Sequence, residues 1–215
     1  MTITKDVPLF SGERAGFKKV LNTYPKGKGV SDKAFNALAK KCDRMVLKKG
    51  EKFCIKGEVC ETVGYIVSGY MYSYYIKKED IDRKEMVTNL YFTPEYRIIA
   101  DIESLYFGGV SHSTIKAASR TILICIPVTD LNDLLDVYPE LGEVKTILLA
   151  MSYLENQHAR EFFRRHNGHE RVAALYLLNP EMFNIFTHKL IGSFLKVDPN
   201  IIGALISTLP KISRK

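Results

Sequence analysis

The chain has 215 residues, 46% of them hydrophobic and 26% charged, which is enough to enclose one large core or two small ones. No apolar run approaches the roughly 20 residues that cross a bilayer, and residues 1–8 carry no signal-peptide pattern; the expectation is a soluble, cytoplasmic protein with no membrane partner. The formal charge of +7 admits nucleic acid as a partner, yet the excess is dispersed: residues 1–30 hold six Lys and Arg against two acids, and residues 168–215 hold six against three.

Residues 1–42 read as helical. Ser31-Asp32 is placed to cap a helix carrying Ala34, Phe35, Leu38 and Ala39 on one face, and residues 24–29 are a break. From Arg44 the period changes to short strands bounded by turn residues, predicted over 44–47, 52–55, 62–67, 70–76, 84–92, 113–118 and 121–126. The polar run over 77–84 is a solvated hairpin tip. Many short strands at even spacing mean a sandwich or a barrel-like roll. Thr129 caps a short helix that feeds a long one.

That long helix spans 139–165. Pro139 suits its first position, Glu140 and Glu143 sit at the positive end of the dipole, and Arg160, Arg164 and Arg165 sit at the negative end. Gly168 lies where a C-terminal stop belongs. Leu141, Val144, Leu148 and Met151 step by three and four; the row then degrades, with Glu155 and His158 at the next positions before Phe162 resumes it. Such a row serves a helix packed on its own domain alone or one that touches both its own domain and a second copy, and the second use is the expectation. Beyond it the chain is short helix. Thr187 caps one piece, Asp198-Pro199 supplies the cap and first residue of the next, and the two form a helix-turn-helix.

The order of β-roll, long helix and helix-turn-helix resembles the Crp/Fnr family of bacterial transcription regulators. The resemblance rests on the turn glycines Gly50, Gly57 and Gly69, and on the segments around Ile98–Leu105 and Leu190–Leu195. It implies an α+β chain: an antiparallel jelly-roll sensor domain of the cyclic-nucleotide-binding type over 1–137, a dimerisation helix over 138–167, and a winged-helix-like DNA-binding domain over 168–215. It also implies a homodimer with double-stranded DNA as partner.

The effector site departs from the cyclic-nucleotide pattern. The phosphate-binding Arg of the family falls near Ser111 and its Gly-Glu helix start near Ala100-Asp101, where Asp101 and Glu103 would repel a phosphate. The roll would sense an unknown small molecule or none; if it binds one, the pocket is expected near Tyr72, Tyr74, Arg97, Asp101, Glu103, Ser111, His112 and Ser113. For DNA the resemblance points to Thr187, His188, Lys189, Lys196, Asn200, Ser207, Lys211 and Arg214. The second helix of the motif carries no Lys, Arg, Asp or Glu, so a scaffolding or ligand-binding dimer that no longer reads DNA is the alternative.

Enzyme chemistry has little support. Only His112 lies in the β region, where a metal site of the cupin type needs two or three His and a carboxylate, and no nucleophile elbow, P-loop or G-x-G-x-x-G occurs. No cofactor or metal is implied. The four cysteines lack C-x-x-C spacing and read as free thiols, with Cys54 and Cys60 able to face each other across a hairpin.

Overall fold

The computed structural model describes residues 11–23, 29–77, 84–92 and 98–209. Its strands form two antiparallel four-stranded sheets. The first has the order β1 (Asp43–Leu47), β8 (Thr121–Pro127), β3 (Thr62–Ser68), β6 (Ile98–Ile99); the second has the order β2 (Lys52–Cys54), β7 (Thr114–Ala117), β4 (Tyr70–Ile76), β5 (Glu85–Phe92). The fold class is α+β. The two-residue β6 was not foreseen, because two residues are too short for a period. The hairpin tip falls at 78–83, outside the described residues.

Side chains alternate across each strand, and this divides the interior into three packed regions. Met45, Phe53, Ile66, Met71, Ile99, Ile115 and Leu123 fill the space between the sheets. On the outer face of the first sheet, Tyr65, Ile124 and Ile126 are covered by Phe17 and Leu21 of α1 (Ser11–Thr23) and by Phe35 and Leu38 of α2 (Asp32–Lys41). Ser31 caps α2, its hydroxyl accepting from the Ala34 N–H at 3.2 Å. On the outer face of the second sheet, Tyr72, Tyr74, Val87 and Leu90 meet Val172, Met182, Phe186, Ile191, Leu195 and Ile202 from the end of the chain. The roll and the C-terminal helices therefore share a core.

Gly69 makes the β3–β4 turn at φ +104°, and a Cβ there would lie 2.6 Å from Thr121 Oγ1 and 2.7 Å from the Arg120 carbonyl oxygen. Only glycine fits that turn. After β8 the chain enters α4 (Val128–Val137), which begins after Pro127 with no side-chain cap; Thr129, expected as the cap, lies inside the helix. The 27-residue α5 (Pro139–Arg165) follows, about 40 Å long at 1.5 Å per residue.

Gly168 does not stop α5. The helix ends at His166 in extended backbone, and Asn167 starts α6 (Gly168–Leu178) through a capping box with Glu170, so Gly168 is the first residue of the next helix. A strong capping signal one residue upstream overrides the stop signal of the glycine. The unforeseen α7 (Met182–Ile185), then α8 (His188–Leu195) and α9 (Pro199–Thr208), complete the described chain. No single helix among the described residues is long and apolar enough to cross a membrane.

Candidate functional site

Between the β4–β5 ribbon and the segment around α3 (Ile102–Phe107) lies a cavity of about 480 Å³. Ser73, Thr88, Asn89 and Tyr91 line it from the ribbon, Ala100–Glu103 and Phe107 from the other side, and Ser113 and Ile115 from its floor. A bulge between Ser73 and Tyr74 puts both Thr88 and Asn89 in the cavity wall. Asp101 caps α3: one carboxylate oxygen accepts from the Ser104 N–H at 2.9 Å, and the other accepts from the Ser111 hydroxyl at 2.6 Å. Glu103 holds His112 Nε2 at 3.1 Å. Burial raises the pKa of Tyr91 above its ordinary value. The lining carries two carboxylates, several hydroxyls and an amide, and among the described residues no Lys or Arg.

Of the residues expected here, Asp101, Glu103 and Ser113 line the cavity, while Ser111 and His112 stand behind it and bond the two carboxylates. Arg97 lies outside the described residues. Tyr72 and Tyr74 are corrections. Strand alternation points Ser73 inward and turns both tyrosines outward, where they pack with Phe186 and lie under Lys116 Nζ at 5.5 and 5.1 Å. The Tyr72 hydroxyl donates to Glu85 at 2.9 Å, and burial first, with Glu85 adding to it, pushes its pKa up to about 12. Ser73, Thr88, Asn89 and Tyr91 escaped the sequence reading. The phase of alternation in β4 and β5 was their only signal, and it is uninterpretable until the covered face is known.

The second candidate region is the pair α8 and α9, whose axes meet at 98°. Thr187 caps α8, accepting from the Leu190 N–H at 3.3 Å, and Asp198 caps α9, accepting from the Asn200 N–H at 2.8 Å. Lys196 turns the corner in left-handed backbone at φ 56°, a place that glycine usually takes, with its ammonium 5.5 Å from the Phe163 ring. Thr187, His188, Lys189, Lys196, Asn200 and Ser207 are all exposed, and Lys211 and Arg214 lie outside the described residues. The open face of α9 presents Asn200, Ile201, Gly203, Ala204, Ser207 and Thr208. Ser207 and Thr208 spend their hydroxyls on the carbonyls of Ala204 and Leu205. Arg171, counted among the basic residues of this half, is spent internally: its guanidinium donates to the carbonyls of Phe163 and Leu195, joining α5 to α8.

No family model matches the sequence, and the comparison with curated proteins finds no match either. Solved structures do match. One is a protein from Eubacterium rectale described as a Crp/Fnr-family transcriptional regulator: TM-score 0.65 at 16% identity, covering 86% of this chain and 88% of that one. FixK2 of Bradyrhizobium japonicum gives 0.62 at 15%, covering 77% and 83%, and the c-di-GMP-responsive regulator CLP of Xanthomonas campestris gives 0.62 at 11%, covering 82% and 90%.

This is the Crp/Fnr fold.

Within the Crp/Fnr fold α5 links the roll to the C-terminal helices, and the first part of its apolar row packs on its own chain. Leu141 and Val144 are buried against their own chain with Phe35, Ile126 and Leu134, and Leu148 packs on the same cluster. These three side chains anchor α5 to its own roll. Met151 and Phe162 are half-buried and His158 is exposed, Phe162 packing with Phe163 and His166. The open apolar side chains are Leu149, Tyr153 and Leu154, at 36%, 61% and 52% exposure. Near them α3 presents Tyr106, held 5.0 Å from Lys145 Nζ of α5, and Phe107 at 81% exposure.

Proposed function

We propose that the chain is a DNA-binding transcription regulator that acts as a homodimer and answers to a small molecule other than cyclic AMP. One observation carries this reading. The β4–β5 ribbon has the cavity on one face and the helix-turn-helix on the other. Ser73, Thr88 and Tyr91 look into the cavity, while Tyr72, Tyr74, Val87 and Leu90 pack against the C-terminal helices. Ser193 of α8 is stitched to the edge of β5, accepting from the Val87 N–H at 2.9 Å and donating to the Glu85 carbonyl at 3.1 Å. A ligand that moves the ribbon moves the reading head, which is the differential contact that coupling between two sites requires.

In this reading residues 1–137 sense, 138–167 dimerise and 168–215 bind DNA. The open row Leu149, Tyr153 and Leu154, with the α3 patch beside it, supplies the apolar face that a second copy would cover. Gel-shift titration against the chain's own upstream region tests the DNA arm. The expected result is a discrete site with two half-sites one helical turn apart, about 34 Å, and affinity that falls steeply with salt. The uncharged face of α9 favours a second reading, a dimer that no longer reads sequence; equal affinity for random duplex would select it.

The cavity chemistry argues against a cyclic nucleotide. The start of α3 is already occupied by Asp101, Glu103 stands within its first turn, and Ser111 is buried and bound to Asp101. A phosphate placed there would face carboxylates with no guanidinium among the described lining residues. Calorimetric titration with cyclic AMP is expected to give no heat of binding at micromolar concentrations; a micromolar or tighter dissociation constant would overturn this assignment.

A further inference from the structure

The sequence of α9 holds no Lys, Arg, Asp or Glu. Asn200, Ile201, Ala204, Ser207 and Thr208 recur at the spacing of one helical face and are all exposed, while Ile202 is fully buried against the core. Gly203 is exposed as well and adds no side chain to that face. What the helix offers a partner is one amide, two apolar side chains and two hydroxyls.

Each base edge in the major groove asks for a matching group. Guanine is taken by Arg or Lys on O6 and N7, and cytosine by Asp or Glu on N4. Adenine is taken by Asn or Gln on N6 and N7, and thymine by apolar contact with its C5 methyl group. Of these partners α9 carries only the last two kinds.

We propose that α9 reads A·T pairs and no G·C pair: Asn200 takes the N6 and N7 edge of an adenine, and Ile201 and Ala204 take thymine methyl groups. This rests on the DNA-binding reading above and names the class of duplex that reading requires.

The surroundings keep the chemistry this narrow. In a helix-turn-helix the N-terminal residues of the second helix meet the base edges. Asn200 is the second residue of α9, with Ile201 beside it and Ala204 one turn on. Ser207 and Thr208 lie roughly 10 Å further along the axis. Each has given its hydroxyl hydrogen to a carbonyl of its own helix, at 2.6 and 2.7 Å. The charged groups at the turn are engaged elsewhere. Asp198 sets its carboxylate on the Asn200 N–H at 2.8 Å, and the Lys196 ammonium stands 5.5 Å from the Phe163 ring. His188 and Lys189 are exposed at the start of α8, the helix that crosses the phosphate backbone in this motif, where contacts position the protein without reading sequence.

The test selects binding sites for the full chain from a random duplex library and then titrates the enriched site with altered bases. Asn200→Ala locates the pair that Asn200 reads, as the one position per half-site whose preference it abolishes, and that pair is expected to be A·T. Replacing it by inosine·cytosine keeps the minor-groove pattern of A·T and gives the major groove that of G·C; the expected loss is about 5- to 150-fold. Uracil in place of a neighbouring thymine removes only the methyl group and is expected to weaken binding by a smaller factor. Lys189→Ala should weaken every duplex alike and lower the salt slope by about 1. A G·C pair at the position located by Asn200→Ala, no position altered by that variant, or full affinity for the inosine and uracil duplexes would overturn the inference and leave the DNA-binding reading standing. No enrichment over the random library would overturn both.

Discussion

Gly192→Ala is expected to destabilise the C-terminal helices, although the substitution raises helix propensity. Gly192 sits in the middle of α8, where alanine would ordinarily gain about 1 kcal/mol. Here a Cβ would lie 2.6 Å from the Val197 carbonyl oxygen and 3.0 Å from Pro199 Cγ. Neither atom is the free end of a flexible side chain: one is backbone in the turn, and the other is the ring that opens α9. The Gly192 carbonyl also accepts from the Val197 N–H at 2.9 Å, so the turn cannot swing away without losing that bond. Forcing a methyl into packed structure costs roughly 1–3 kcal/mol in general. A backbone contact this short belongs near the top of that range, for a net loss of about 2 kcal/mol and a melting temperature lower by roughly 4–8 °C. Gly203→Ala is the matched control. Its Cβ would meet only the His188 imidazole at 3.3 Å, which can rotate, so α9 should gain up to about 1 kcal/mol. Thermal melting of the two variants is expected to show shifts of opposite sign; a rise for Gly192→Ala would mean that α8 and α9 do not cross as closely as described.

Features set by neighbours in the chain were legible in the sequence. Ser31, Thr187 and Asp198 each cap the helix they were assigned, because a cap is a contact between residues two or three apart. The strands from β1 to β5 and the turn at Gly69 were found for the same reason: their signals are local periods and a backbone angle. What failed depended on partners distant in sequence. The alternation Tyr72-Ser73-Tyr74 is plain in the sequence, yet nothing local says that the sheet is covered on both faces, by a cavity on one and by Phe186 on the other. The row Leu141, Val144, Leu148 has the spacing of a seam, and spacing cannot tell whether the partner is another copy or the chain's own α2 and α4. Cys54 and Cys60 show the same limit from the other side: the sequence leaves them merely able to face each other across a hairpin, and their burial in the space between the sheets depends on how the whole roll closes.

Phe186→Ala is expected to uncouple the two halves of the molecule. Phe186 is 2% exposed, and its ring stands edge-on to two tyrosines of β4: Tyr70 with centroids 5.9 Å apart and Tyr72 at 6.3 Å. It is the aromatic bolt between the roll and the helix-turn-helix. Truncating a buried phenylalanine costs about 3–5 kcal/mol, through lost transfer energy and the cavity left behind. What distinguishes this site is where the cavity opens. A cavity inside either half lowers the stability of that half, whereas one on the seam removes the contact that makes the halves melt together. The polar stitching left behind, Ser193 on the β5 backbone and the Tyr70 hydroxyl reaching Glu181 at 3.4 Å, is too sparse to replace it. Scanning calorimetry is therefore expected to show one transition for the parent chain and two for Phe186→Ala, the lower one belonging to the C-terminal helices. Hydrogen exchange should assign it, with α8 and α9 amides losing protection while β1, β3 and β8 keep theirs. Phe17→Ala supplies the contrast. Phe17 is 6% exposed and stacks on Tyr65 at 5.0 Å within the roll, so its loss should lower a single transition without splitting it. One undivided transition in Phe186→Ala, with protection lost evenly across both halves, would show that the shared core is not what joins the β4–β5 ribbon to α8 and α9, and the coupling proposed above would have to run through α5 instead.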